Sequence, residues 1–247
     1  MSAHLNGKVA IVTGGSRGIG RAIAVALGRQ GAAVLVNYHS NAERAAETVR
    51  EIVEAGGRAA SVRADVADAE SATKLFASAE DTLGGVDILV SNAGVAAIIP
   101  LTAIKPADYE RIYGINVRSV VFLLQAAARS LRNNGRVITV SSSTAAYPRD
   151  GFALYASSKA AVRALTEVAA IELGPRGITA NCVLPGVIEM DMIAQLPANY
   201  RQAVAESSPF GRIGVPEDVA GIVAFLASDE SRWVTGQSLV ANGGARR

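Results

Sequence analysis

Short apolar runs alternate with longer stretches of helical pattern along almost the whole chain, and no other feature of the sequence constrains its fold so tightly. Runs at residues 8–13, 33–37, 58–63, 87–91, 135–142 and 177–184, and a shorter one at 237–241, read as strands. Most are continuously apolar rather than alternating, the pattern of strands covered on both faces. Helices are predicted at about 18–31, 41–55, 69–83, 106–131, 152–173 and 216–228. Asn41 is placed to cap the second of these, and Pro106 stands in the first turn of the fourth. Strict alternation predicts an α/β fold, a doubly wound and mostly parallel sheet of about seven strands flanked by helices. No internal repeat, low-complexity tract or proline-rich linker divides the 247 residues, so a single domain over residues 1–247 is expected. Residues 187–215 are the least regular part, and a long irregular segment in a compact domain is usually functional. A substrate loop is expected there.

Composition removes several classes of function. Half of the residues are apolar and 19% are charged, enough for a sizeable core. The net charge is +2 and no block of Lys or Arg stands out, so neither nucleic acid nor an anionic membrane is an expected partner. One cysteine, Cys182, excludes a disulfide framework within the chain, and no CxxC or His/Cys cluster calls for a metal. Residues 1–7 are short and polar, unlike a signal or transit peptide. No apolar run approaches the ~20 residues of a membrane helix. The expectation is a soluble cytoplasmic protein.

Two motifs carry chemistry. Thr13-Gly14-Gly15-Ser16-Arg17-Gly18-Ile19-Gly20 follows the first strand and opens the first helix. Glycines there let the backbone approach a pyrophosphate, which would sit on free amides at the positive end of the helix. In Tyr155-Ala156-Ser157-Ser158-Lys159 a phenol and an ammonium stand four residues apart in an alanine-rich helical stretch. Residues at i and i+4 share a helix face. An ammonium beside a phenol stabilises the phenolate and lowers a pKa normally about 10, giving an acid/base group usable near neutral pH.

The glycine spacing and the Tyr-xxx-Lys pair resemble those of the short-chain dehydrogenase/reductase family, and the resemblance runs over nearly the whole chain. Asp65-Val66 looks like the family's adenine-contacting pair, and Asn92-Ala93-Gly94 closes the fourth strand as in the family. Asn116 matches its helix asparagine, and Ser142, thirteen residues before Tyr155, matches its active-site serine. Pro185-Gly186 follows the sixth strand and Thr235-Gly236-Gln237 precedes the last. The resemblance implies a Rossmann-like fold and hydride transfer between a nicotinamide and a carbinol carbon. In that scheme Tyr155 exchanges a proton with the substrate oxygen, and Lys159 lowers the tyrosine's pKa and bonds the nicotinamide ribose. Ser142 holds the substrate oxygen, and Asn116 holds a water linking Lys159 to solvent. Gly14, Ser16, Arg17, Gly18, Ile19 and Gly20, with backbone groups at Pro185, Gly186 and Ile188, would hold the rest of the cofactor. Met190 stands where the family usually has a Thr that bonds the carboxamide, and Asn242 where it often has Asp.

After the second strand an acid would bond the ribose hydroxyls and repel a 2′-phosphate. This chain has Asn37-Tyr38-His39-Ser40 instead, with Arg17 in the glycine loop. Asn37, His39 and Ser40 are therefore expected at the adenosine ribose, favouring NADP(H), with NAD(H) still possible. The expected substrate is a small ketone or secondary alcohol with an apolar body, bordered by Ala96, Ile98, Tyr147, Phe152, Met190, Met192, Ile193, Leu196 and Phe210. Arg129, Arg132 and Arg136 offer a basic patch for a phosphopantetheine carrier, so a 3-oxoacyl-carrier-protein reductase is the alternative, with sugar or steroid alcohol dehydrogenases behind it. A non-catalytic dinucleotide-sensing protein is the alternative from another class. Apolar residues around the helices at 106–131 and 152–173 predict burial on both sides, hence a homotetramer, or failing that a dimer.

Overall fold

The computed structural model describes residues 4–190 and 197–245. Seven strands form one sheet: β1 (Val9–Val12), β2 (Ala33–Tyr38), β3 (Arg58–Arg63), β4 (Ile88–Ser91), β5 (Arg136–Val140), β6 (Thr179–Pro185) and β7 (Ser238–Ala241). Their order across the sheet is β3-β2-β1-β4-β5-β6-β7, and every neighbouring pair is parallel. The chain runs outward in both directions from β1 and β4, which puts a topological switch point, the usual ligand crevice, at their C-terminal ends.

Period-two alternation splits the core into two layers. Ala10 and Val12 of β1 face one side with Val34, Val36, Val90 and Val183. There α1 (Gly18–Arg29), α2 (Ala42–Glu54) and α8 (Pro216–Ala227) cover them through Ile23, Leu27, Ile52 and Val223. Ile11 faces the other side with Leu35, Leu89 and Val137. The cover is α3 (Ser71–Leu83), α5 (Ser119–Ser130) and α6 (Ala153–Leu173), through Leu75, Phe76, Leu123 and Ala170. This double coverage is why the strands lack polar alternation.

Two elements depart from the sequence-based expectation. The single helix expected over 106–131 is α4 (Pro106–Tyr113), a π-helical segment (Gly114–Arg118) and then α5. Hydropathy does not register one extra residue per turn, and such bulges concentrate at functional sites. Within the irregular 187–215 region lies a further helix, α7 (Ala198–Glu206), whose side chains are nowhere fully buried, so it left no apolar period to read. Asn41 caps α2 as expected, its Oδ1 accepting the Arg44 N–H at 2.9 Å.

Among the described residues no helix is long and apolar enough to cross a membrane. The expected basic patch divides. Arg136 is buried at the start of β5 and donates to the Ser228 carbonyl (3.2 Å) and Asp229 (2.9 Å), and burial lowers its pKa despite Asp229. Arg132 pairs with Asp87 at 3.2 Å. Both lie at the N-terminal edge of the sheet, opposite the crevice, where they hold the fold.

Candidate active site

The glycine loop is built from backbone held by three polar side chains. The Thr13 hydroxyl accepts the Asn92 and Ala93 amides at 3.0 and 3.1 Å. Asn92 Nδ2 donates back to the Thr13 carbonyl at 2.9 Å. From the other side, Asn37 Oδ1 accepts the Gly14 N–H at 3.3 Å, while its Nδ2 faces the carbonyls of Ala64 (3.1 Å), Tyr38 (3.4 Å) and Val62 (3.5 Å). Asn37 is therefore a buried pin behind the loop rather than a reader of the ribose. The tight closure requires glycine at 20, where a Cβ would stand 2.2 Å from the Gly14 carbonyl oxygen.

At the head of α1 the chain supplies no cap of its own. Arg17 is the N-cap residue without a side-chain hydrogen bond, and the first turn carries no acid. By contrast α2 has both Asn41 and Glu43. Uncapped first-turn amides behind a close glycine approach fit a pyrophosphate. Ser16 and Ile19 are partly buried and Arg17 is exposed. Exposed His39 and Ser40 follow β2, and His39 Nε2 stands 3.7 Å from Asp65. Asp65 turns its other oxygen to the Ala67 amide (2.9 Å), and Val66 packs on the core beneath. At the far end Pro185 closes β6, the Gly186 N–H bonds Ala241 (2.9 Å), and Ile188 bridges to Gly214. The Met190 thioether lies where a side chain on Gly18 would stand, Sδ 3.1 Å from that point.

The residues expected to handle protons converge at the C-terminal end of β5. The Ser141 hydroxyl is committed to the Lys159 carbonyl at 2.7 Å, tying α6 to the strand. Ser142 Oγ accepts from the Thr144 amide and hydroxyl at 3.2 and 3.0 Å. Lys159 is buried and donates to the Val140 carbonyl at 2.9 Å, with its Nζ 6.0 Å from the centre of the Tyr155 ring. Asn116 sits in the π-helical segment and makes a two-way pairing with the Val95 peptide, both bonds 2.9 Å, plus a 3.0 Å bond to Ser158. Gly94 lies directly over this group: a Cβ there would be 3.0 Å from Lys159 Nζ and 3.3 Å from Asn116 Oδ1.

Electrostatics differ from the expectation. Burial raises the Tyr155 pKa above its usual 10, and Ser142 lowers it by less. Burial also lowers Lys159 from 10.5 to about 8, with Cys182 opposing. At 6 Å from the ring the ammonium does not override desolvation. The phenol is held neutral.

A cavity of about 170 Å³ opens beside Ser143 toward β6 and β7, bounded by Tyr147, Val187, Phe210 and Ile213. An Arg212–Asp218 pair (2.6 and 2.9 Å) holds its far wall, and drives the Asp218 carboxyl down to about 2. Ile98 is exposed and its loop is pinned by the Ile99 N–H to the Gly151 carbonyl (2.7 Å), near Phe152. Ala96 is exposed on the same loop. Met192, Ile193 and Leu196 lie outside the described residues. Thr13 and Ser158 stand inside the two motifs without a role that the sequence assigns, and Asp218 looks like an ordinary helix residue.

Comparison with known proteins places this geometry. Residues 14–246 match the family model described as Enoyl-(Acyl carrier protein) reductase. Versicolorin reductase stcU of Emericella nidulans is 41% identical over 99% of this chain and 97% of its own. A short-chain dehydrogenase of Burkholderia cenocepacia in complex with NADP superposes with a TM-score of 0.92 at 41% identity, covering 98% of this chain and 99% of that one. The chain belongs to the short-chain dehydrogenase/reductase family. It is an NAD(P)-dependent oxidoreductase with a Rossmann-like fold. The angucycline C-6 ketoreductase LanV with bound NADP is also similar, with a TM-score of 0.94 at 37% identity over 99% of this chain and 98% of that one.

Proposed function

We propose that this family member is an NADP(H)-dependent ketoreductase whose Tyr155 is the general acid/base and whose substrates are ketones with an apolar body. The observation that carries the reading is the grouping of the half-buried Tyr155 phenol with buried Ser142 and Lys159, on the same sheet edge as an uncapped glycine-rich helix head. A bound nicotinamide would supply the hydride for ketone reduction. Tyr155 gives its phenolic proton to the substrate oxygen, which the Ser142 hydroxyl orients. Lys159, partly neutral near pH 8, returns a proton toward Tyr155 and would bond the ribose of the cofactor. The bare Cα of Gly94 leaves room for Lys159 Nζ, and Asn116 would hold a water that links Lys159 to solvent. Arg17, His39 and Ser40 provide the neutral-to-basic surface that accepts a 2′-phosphate, and the NADP bound by LanV and the Burkholderia protein supports that choice. The ketone follows the ketoreductase name of LanV, and the apolar body follows the rings of Tyr147 and Phe210 in the cavity wall. A carrier-bound acyl substrate has less support, since Arg132 and Arg136 are engaged in the fold.

NADPH oxidation in the presence of aryl ketones, diketones, β-keto esters and acyl thioesters tests the reading. Aryl ketones are expected to be reduced, and Tyr155→Phe to lose at least ~100-fold in turnover while still binding cofactor. Near-normal turnover in that variant overturns the mechanism.

The enzyme assembles as a homotetramer. Apolar side chains remain open on α5 and α6, such as Val121, Val168 and Ile171, and near the C-terminus at Trp233, which is 96% exposed. Light scattering at micromolar concentration decides it, because a mass near 25.4 kDa means a monomer.

A further inference from the structure

The cavity beside Ser143 carries a charge imbalance that neither proton transfer nor the cofactor cradle uses. Among the described residues its charged lining is Arg149, Arg212 and Asp218. Arg212 commits both ends of its guanidinium to Asp218, at 2.6 and 2.9 Å, and the pair is neutral. Arg149 is the cation left over, with no hydrogen bond or ion pair to its side chain among the described residues. Asp150, next to it in the chain, does not reach the lining. The backbone at Arg149 is fixed, because its carbonyl accepts the Phe152 N–H (3.2 Å) at the start of the helix that bears Tyr155. The side chain therefore springs from a point fixed just ahead of the helix that bears Tyr155. Its neighbours in the wall are the rings of Tyr147 and Phe210, which, like Arg149 itself, are exposed and open to an incoming ligand.

We infer that Arg149 binds an anionic oxygen, a carboxylate or an ionised phenol, on the part of the substrate remote from its ketone. The apolar body lies along Tyr147 and Phe210, and the guanidinium fork meets the anion with charge-assisted hydrogen bonds. Arg149 is then a specificity-determining residue that selects charged ketones over neutral ones of the same shape. The inference rests on the ketoreductase reading for the word substrate, so it is tested by binding rather than by turnover.

Calorimetry on the full chain with NADP present would use 4-acetylbenzoate, its methyl ester and 4-hydroxyacetophenone. The acid is expected to bind at least ~10-fold more tightly than the ester, as one charge-assisted contact implies, and less tightly as salt is raised. Arg149→Gln should abolish that preference and leave ester affinity unchanged, whereas Arg149→Lys should keep part of it. Affinity for 4-hydroxyacetophenone that rises as its phenol ionises assigns the site to phenolates as well, and no rise confines it to carboxylates. Equal binding of acid and ester, no detectable binding of the acid, or a preference that survives Arg149→Gln overturns the inference. Reduction of the ester with no acid preference leaves the ketoreductase reading standing alone. Acid binding that depends on Arg149, with no reduction of any ketone, leaves the anion site standing and removes that reading.

Discussion

The proposed cofactor cradle and the proposed substrate cleft both lie at the C-terminal edge of the sheet, yet they are made differently. The cradle is backbone held by side chains: Thr13, Asn37 and Asn92 point inward and fix where the peptide groups of the glycine loop stand. The cleft is side chains held by backbone: Tyr147, Arg149 and Phe210 point outward from loops whose peptides are pinned elsewhere. A cofactor fragment shared by many enzymes is thus met by peptide amides, which do not change with sequence. The variable partner is met by groups that substitution can alter without disturbing the fold.

That contrast breaks most readily at Asn37. Asn37→Asp would turn a carboxylate toward the three carbonyls that its amide now faces. At 2% exposure the expected cost is about 2–4 kcal/mol, seen as a fall of roughly 5–10 °C in Tm. A stable variant that simply turns to NAD would show that position 37 reads the ribose after all.

Lys159 joins the two regions and sharpens the comparison through pH. Its folded pKa of about 8 lies below the unfolded 10.5. Between those values the unfolded chain holds the extra proton, so stability rises with pH through that window, and the full burial penalty applies below about pH 8. Lys159→Met should therefore stabilise the protein by something on the order of 2 kcal/mol at pH 7, after allowing for the lost Val140 bond. The gain should fade toward pH 10 in thermal melts, while turnover falls. An equal melting difference at all pH values would contradict the burial account.

The smallest effect belongs to the cleft wall. Asp218 titrates at about 2 rather than 3.8, so its contribution is present above the ordinary carboxylate range and disappears as pH falls through 2. Its side chain is 39% exposed, so Asp218→Asn should cost under about 1 kcal/mol at pH 7. A loosened wall should raise KM for ketones about twofold with kcat little changed. A large loss of Tm would mean that the wall is structural in the way the cradle is.

The same contrast decides what was legible in the sequence. Strand runs, the glycine loop and the Tyr155–Lys159 pair were readable because they depend on local pattern and short spacing. The inward turn of Asn37 was not, since it arises from β2 and β3 pairing across 25 residues of chain. Nor was the direction of the Tyr155 shift, because burial is a property of the assembled site and an ammonium four residues away is not. Arg132 and Arg136 looked like surface charge until their partners, Asp87 and Asp229, were brought to them by the fold.

The π-helical turn at Gly114–Arg118 also sets a phase. One additional residue in a helix offsets everything beyond it by about 100°. It lets Asn116 turn to Val95 and Ser158 while Leu123 packs against the sheet. A chain shortened by one residue within this turn could close as uninterrupted α-helix, but it could satisfy only one of those two directions. The bulge works as a spacer of angle rather than of length, and a single-residue deletion there would detune the site without removing any of its side chains.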